Sequence, residues 1–564
     1  MKWELVRWSS IIWQSGELKW DKTIGLKYSF MKLYRFLRWG RITIAAAMLA
    51  LVFILFVDIY EWVPGKNYST VLYLQFVPSL LNFLRVFSLI TAGGFLLMLL
   101  LTFITGRLYC SVICPLGILQ DVVNRFSRWR SKKKCFFRFK KPHPVLRYSF
   151  LALMVLAIIF GGGFIVTWLD PYSIAGRTFT YLFKPVVMGL NNTIAPVFNV
   201  AGIYSLSRKN LFQPLILPSV LSFLIITAIG YFAWKRGRLF CNTICPVGTL
   251  LGEVSRFSVF KVRFDSNKCT RCGKCAAVCK SECIDIKNYA VDYTRCVACF
   301  NCLDVCPESA LSFSPAAVMP AKKPVRRPVQ KAVVSEKHDS NRRKLIVTIL
   351  ILFAGNRIYG FKKNKMSDKQ KDLLLNEKDY PVSPPGSKSI TRFNETCTAC
   401  SLCVAACPTG VLQPALTEYG FMGFMQPHMD YVTNFCNFDC VKCGEVCPTG
   451  AILPLSLEEK HVNQMGKAVF VKQNCIVYTD GTDCGACSEH CPTKAVNMVP
   501  YKNGLLIPEV DDSICIGCGA CEYPCPVEAP FKAIYVNGNA TQQVAEKPEI
   551  GEKKVINHDE DFPF

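Results

Sequence analysis

An α-helical membrane module of four spans, built as a duplicated helix pair and followed by small α+β domains, is the fold class this 564-residue sequence predicts. Three observations predict it. Four apolar runs of about 20 residues, the length a bilayer core requires, fall within the first 235 residues. The motif GRLYCSVICPLGILQDVVNRFS, from Gly106, returns as GRLFCNTICPVGTLLGEVSRFS from Gly237, each at the end of an apolar run. Beyond residue 264, most of the 30 cysteines fall into six regularly spaced groups of four.

Composition agrees with a chain that is part membrane and part soluble. The sequence is 51% hydrophobic with a mean hydropathy of +0.25, and the excess precedes residue 235. The formal charge of +25 shrinks if the six groups hold iron–sulfur cubes, because six cubes at about −2 each remove about twelve units. The remaining Lys and Arg lie in loops beside apolar runs. That is a membrane-orientation pattern, and no nucleic-acid partner is expected.

In chain order, residues 1–41 are a basic N-terminal segment ending in Arg35, Arg38 and Arg41, too long for the charged region of a cleaved signal. Residues 42–260 form the membrane module, with spans at 42–60, 84–105, 146–168 and 213–234. Pro78 interrupts the apolar run 69–83, which reads as interfacial or re-entrant. Lys and Arg crowd 1–41, 106–147 and the stretch from Lys235, and are sparse in 61–83 and 169–212. The positive-inside rule then gives a multi-pass protein of the cytoplasmic membrane, with the N-terminus and the first cysteine-rich domain in the cytoplasm. Asp58, Asp121, Asp170 and Glu253 stand at span ends; each is able to take a proton and each reads as a solvated boundary residue.

Residues 265–314 hold the first two quartets, Cys269, Cys272, Cys275, Cys279 and Cys296, Cys299, Cys302, Cys306. A Pro/Lys-rich linker follows at 315–344, a short apolar segment at 345–361, and a polar stretch at 362–395. Residues 396–540 hold four more quartets: Cys397, Cys400, Cys403, Cys407; Cys436, Cys440, Cys443, Cys447; Cys475, Cys484, Cys487, Cys491; and Cys515, Cys518, Cys521, Cys525. The acidic tail 541–564 reads as flexible.

Runs of Cys-x2-Cys-x2-Cys-x3-Cys are poor disulfide frameworks and good [4Fe–4S] loops, in which three cysteines bind one cube and the fourth binds its neighbour. The α+β domains are therefore expected to be of the bacterial two-cluster ferredoxin type, carrying six cubes. In the first domain Cys269, Cys272, Cys275 and Cys306 are expected at one cube, and Cys296, Cys299, Cys302 and Cys279 at the other. Lys280 stands where such loops usually carry proline, and Cys283 is left over as a substitute ligand or a small buried apolar residue. Spacing leaves the pairing within 396–540 open.

The duplicated Cys-x3-Cys-Pro motifs add Cys110, Cys114, Cys241 and Cys245. If the repeat is pseudo-symmetric, these four thiols meet at the membrane face. They then ligate a seventh cluster or another thiophilic metal, or form redox-active thiol pairs, or pack helix ends. Arg107 and Arg238 precede the motifs, where they stabilise thiolates or simply anchor the spans. None of the six histidines lies in a span, which excludes bis-histidine haem in the membrane. No CxxCH and no strand-linked GxGxxG occurs, so neither c-type haem nor a nucleotide-binding reductase domain is encoded. Such a chain relays electrons between partners, with membrane quinol as the expected donor.

Arg342 and Arg343 before the apolar segment look like a twin-arginine export signal, which suits a periplasmic C-terminal module, while Lys362, Lys363 and Lys365 oppose crossing. Residues 84–314 resemble the NapH family of quinol-oxidising membrane ferredoxins, related to part of the NosR proteins, through the two GRL[YF]CxxICP motifs and CVACFNCLDVCPESAL at 296–311. Residues 340–540 resemble the NapG/MauM four-cluster ferredoxins through DCGACSEHCPTKAV at 483–496 and CIGCGACEYPCPVEAPFKAIYV at 515–536. The resemblance implies a natural fusion with quinol dehydrogenase activity, passing electrons from the quinone pool to an unidentified reductase. It also implies a nested pairing of the last four quartets, first with fourth and second with third. The competing expectation is a maturation or regulatory factor that reduces a metal or thiol while another enzyme is assembled.

Overall fold

The computed structural model describes residues 22–130, 137–200, 206–209, 215–315 and 373–547. The linker from residue 316, the twin-arginine segment and the tail from residue 548 lie outside the described residues. The helical part runs α1 (Lys22–Val57), α2 (Gly65–Leu72), α3 (Phe76–Val86), α4 (Leu89–Thr105), α5 (Tyr109–Val112), α6 (Pro115–Arg130), α7 (Pro144–Ile159), α8 (Gly163–Leu169), α9 (Pro171–Thr178), a π-helical turn (Phe179–Phe183), α10 (Lys184–Val200), α11 (Ile216–Arg236), α12 (Leu239–Thr243) and α13 (Pro246–Arg256).

Two helices are long and apolar enough to cross a bilayer by length and composition, Leu33–Val57 within α1 and α11. The other two expected spans are cut short. The run 84–105 breaks where Phe87 turns left-handed at φ 49° and Ser88 caps α4 through the Ile90 amide. The run 146–168 breaks at Gly161, φ 71°, so α7 stops at Ile159. Helices of 17 and 16 residues reach about 26 and 24 Å, just short of a hydrocarbon core of about 30 Å. The basic segment is also revised: from Lys22 it continues the first apolar helix without interruption, there being no proline between Lys22 and Val57. Residues 171–200, between the third and fourth expected spans, are helical throughout.

Large apolar side chains face outward along these helices. Ile44, Leu51 and Ile54 on α1, Leu96, Leu97 and Leu100 on α4, Leu153, Val155 and Leu156 on α7, and Val220, Phe223 and Leu224 on α11 are all exposed. A continuous apolar surface of this kind is uncommon on soluble monomers.

The first α+β domain has the antiparallel pair β1 (Phe260–Phe264) with β4 (Leu311–Pro315), enclosing a small hairpin of β2 (Ile284–Asp285) and β3 (Ala290–Val291). The C-terminal module begins near residue 373, earlier than expected, because Leu374 exchanges hydrogen bonds with Asn474 and Ser383 and Ser387 are buried against Gln542. It contains β5 (Leu412–Pro414) with β6 (Pro427–Met429), and then β7 (Asn463–Phe470), β8 (Val496–Pro500), β9 (Leu506–Val510) and β10 (Ile534–Val544). Strands β7 and β10 pair around the β8–β9 hairpin, the topology of the first domain again. Residues 541–544, placed in the flexible tail by composition, belong to β10.

The two cysteine-rich parts sit at opposite ends of the helices. On α1, Tyr34 bonds the Phe313 amide and Arg38 pairs with Asp304 in the first domain, whereas Phe56 lies against Gly176 beside the Cys400 carbonyl. Twenty-two helical residues separate Tyr34 from Phe56, about 33 Å along the axis.

Candidate metal centres

None of the described cysteines is in a disulfide. In the first domain Cys269, Cys272, Cys275 and Cys306 line one pocket, and Cys279, Cys296, Cys299 and Cys302 line another. The second also receives Cys283, whose Sγ is 3.5 Å from Cys279 Sγ. Lys280 is buried here: its side chain pairs with Asp121 of α6, and its carbonyl accepts from the Arg238 amide. Proline would remove the ammonium that anchors this loop to the helices. Asp121 is thus no solvated boundary residue. Burial would raise its carboxyl, but Arg238 and Lys280 outweigh burial and hold it well below the usual range. Asp170 is buried too, accepting from the Tyr172 and Ser173 amides at the start of α9.

In the C-terminal module Cys407, Cys436, Cys440 and Cys443 line one pocket, and Cys491, Cys515, Cys518 and Cys521 another. Cys397, Cys400 and Cys403 cluster with Cys447, and Cys475, Cys484 and Cys487 with Cys525. Adjacent quartets therefore pair, and the nested scheme implied by the resemblance is overturned. The reason is local: each pair of quartets closes around its own hairpin, β5–β6 or β8–β9.

Burial pushes the Cys400 and Cys487 thiols up to about 12. Such groups become thiolates only where a cation takes up the charge. Among the described residues no three His, Cys, Asp or Glu side chains converge closely enough for a single metal ion. A lone tetrahedral ion would draw thiols to about 3.8 Å of one another, whereas a cube takes each thiolate at a separate iron. The donor sets fit cubes.

The Cys-x3-Cys repeats meet as a crossed pair. Gly106 and Gly237, at φ 79° and 65°, end α4 and α11 and turn the chain into the motifs. Arg107 then reaches across to the Cys241 carbonyl at 3.2 Å and Asn242 Oδ1 at 2.9 Å. Arg238 reaches back to the Cys110 carbonyl and to Asp121. Cys110, Cys114, Cys241 and Cys245 are all buried within electrostatic reach of one another. Arg107 Nη2 lies 3.9 Å from Cys110 Sγ, Gln120 Nε2 3.2 Å from Cys241 Sγ, and the Gly248 amide 3.3 Å from Cys245 Sγ. Donors and two guanidinium groups face these four buried thiols, yet burial outweighs them and pushes Cys114, Cys241 and Cys245 up, so their thiolates form only where a cation takes up the charge.

Sequence reading missed Tyr109, Asn242 and Gln120 and misplaced Asp121 at a solvated boundary. All four stand where the two repeats differ, opposite Phe240, Ser111, Leu251 and Gly252. That mismatch was the available signal.

The centre lies between the two cysteine-rich parts. Towards the first domain, Arg107 donates to the Thr294 carbonyl at 2.9 Å and lies within reach of Cys296. Towards the C-terminal module, Tyr109 is within reach of Cys114 and Asp170, and Tyr172 of Asp170, Cys400 and Cys403. The module docks through Arg85–Glu395 at 2.8 Å, Lys442–Glu61 at 3.0 Å, and stacked Trp168 and Phe424. Inside it, the Cys436 amide donates to the Cys518 carbonyl at 2.9 Å, joining the two quartet pairs end to end.

Comparison with known proteins gives matches over the same regions. A family model described as a 4Fe-4S binding domain matches residues 87–134 and 216–265, which are the two Cys-x3-Cys repeats. Two 4Fe-4S dicluster domain models match residues 393–452 and 482–529. The chain is similar to the methylamine utilization ferredoxin-type protein MauM of Methylophilus methylotrophus, 37% identical over 24% of this chain and 62% of that protein. It is similar to the ferredoxin-type protein NapG of Escherichia coli K12, 33% identical over 24% of this chain and 62% of the relative. It is also similar to the ferredoxin-type protein NapH of the same organism, 25% identical over 39% of this chain and 66% of the relative. The chain thus spans just under two thirds of these relatives. No solved structure matches.

Proposed function

We propose that this chain, a NapH-like and MauM/NapG-like ferredoxin fusion, is a membrane protein that takes electrons from quinol and passes them through its cysteine sites to a partner reductase. The linear order of the sites carries the reading. From one end they run Cys269/Cys272/Cys275/Cys306, Cys279/Cys296/Cys299/Cys302, the Cys110/Cys114/Cys241/Cys245 centre, Cys397/Cys400/Cys403/Cys447, Cys407/Cys436/Cys440/Cys443, Cys491/Cys515/Cys518/Cys521 and Cys475/Cys484/Cys487/Cys525. When bound, a [4Fe–4S] cube exchanges one electron at a time.

The chain's own residues set the route. Arg107 and Arg238 hold the two repeats together and offset the thiolate charge, Lys280 and Asp121 fix the first domain to the helices, and Tyr109, Asp170 and Tyr172 fill the gap to Cys400. The exposed apolar belt between the two ends supports a bilayer there, with α4 and α7 as the shorter spans. The Lys/Arg bias then supports the first domain inside and the C-terminal module outside.

The test is iron and acid-labile sulfide per chain in anaerobic, detergent-purified protein, wild type against Cys110→Ser/Cys241→Ser, followed by reduction with a quinol analogue read as bleaching of visible absorbance. The expected result is about 28 irons falling to about 24 at four per cube, with quinol bleaching the native protein and not the variant. About 24 irons in both, with no bleaching by any quinol, overturns the proposal.

A further inference from the structure

A cleft beside the proposed electron path opens where three pieces of chain meet: the strap 137–143, the junction of α11 and α12, and the loop from Ser281 to Arg295 of the first domain. It is open to solvent on one side. The strap is held against the domain by the Phe137 amide on the Ala277 carbonyl and by Arg295 over the Phe139 ring. Lys140, Lys141, His143, Arg236, Arg238 and Arg295 line it, with Glu282 as its one lining carboxylate.

Two of these cations are already engaged, Arg238 with Asp121 and Arg295 Nε with Asp292 at 2.6 Å. Two buried lining residues nevertheless carry polar atoms with no hydrogen-bond partner, Arg295 Nη2 and Ser281 Oγ. What marks the cleft is its charge: the lining gathers Lys140, Lys141, Arg236, Arg238 and Arg295 around a single carboxylate, Glu282, so an anion is needed to balance it. We propose that this cleft is a binding site for a phosphate-bearing anion, and that the ligand is the headgroup of an anionic phospholipid.

The lipid source follows from the setting. The cleft adjoins the first turn of α7 and the last of α11, and beyond it Val145, Leu146, Tyr231 and Phe232 present exposed apolar surface along which acyl chains would lie. Basic pockets between helices on the inner face suit such headgroups. The source of the phosphate rests on the membrane reading; the site itself does not.

The experiment uses full-length, delipidated protein in detergent. Short-chain phosphatidylglycerol and phosphatidylcholine are titrated and read by native mass spectrometry, and inorganic phosphate by calorimetry. Both are repeated on Lys140→Gln/Lys141→Gln, with iron per chain as the folding control. The native protein should favour phosphatidylglycerol, and the variant should lose about tenfold or more in that preference. Phosphate binding that the variant loses, without lipid preference, supports the anion site and makes its ligand a soluble one. Neither preference nor phosphate binding, or both unchanged in the variant, overturns the proposal. Protein that is monodisperse without detergent and still binds phosphate would sink the membrane reading alone.

Discussion

Asp121 shows how much one residue organises. Arg41 at 3.5 Å, Arg238 at 2.7 Å and Lys280 converge on its carboxylate from three elements. Its counterpart in the second repeat is Gly252, where a side chain would overlap the Thr294 carbonyl of the first domain. One repeat therefore meets the cluster domain by charge and the other by close backbone approach. Asp121→Asn leaves Arg238 and Lys280 buried with no counter-charge and should cost about 3–5 kcal/mol. Lys280→Met keeps the Arg238–Asp121 pair and should cost clearly less. Thermal unfolding of the two variants side by side checks this order, and equal losses would show that the ammonium rather than the carboxylate is the anchor. Cys283, classed by sequence between spare ligand and small apolar residue, is buried on the same cavity as Cys279, so it shares the cluster's surroundings in either role.

At the scale of elements, the repeat is held by glycines where its two halves cross. A Cβ at Gly117 would overlap the Cys110 carbonyl and press on Arg238, and one at Gly248 would overlap the Cys241 carbonyl and press on Arg107. Gly230 on α11 has open space around it. Gly248→Ala should therefore destabilise by about 1–3 kcal/mol through overpacking, whereas Gly230→Ala should be neutral or gain up to about 1 kcal/mol in helix propensity. Fluorescence-detected thermostability separates them, and an unaffected Gly248→Ala would mean that the repeats do not pack this closely. The same elements show what a sequence carries. Cysteine spacing grouped Cys306 with Cys269, Cys272 and Cys275, the set the structure brings around one cavity, because ligand loops are short and local. Hydropathy did not reveal the breaks at Phe87 and Gly161, since one left-handed residue changes the path of a helix without changing its composition. It also passed over the helical run 171–200, whose inward face carries Arg177, Thr178 and Thr180 among the apolar residues and dilutes the average.

At the scale of the molecule, the decisive feature is that the two cysteine-rich parts are held apart by the length of the helices. The first domain touches Tyr34, Phe103 and Gly237, and the C-terminal module touches Glu61, Arg85, Gly163 and Lys184. In α1 these two sets stand one bilayer thickness apart. The intervening surface is apolar on every long helix. If a bilayer fills that belt, the two ends face different compartments, and the Lys/Arg crowded at Arg125, Arg128, Arg130, Lys140 and Lys141 put the first domain inside. The C-terminal module then faces out, as the docking of its Cys397–Cys407 quartet on α9 and α10 requires. Alkaline phosphatase fused after Phe564 should be active and a green fluorescent protein at the same point dark, while a fluorescent protein joined before Met1 should be bright. A bright fusion after Phe564 would put both domains on one side of the bilayer. The contacts of the C-terminal module with Arg85, Gly163 and Lys184 would then be incompatible with a membrane around the helices, and the linear order of sites would have to be abandoned along with the sidedness.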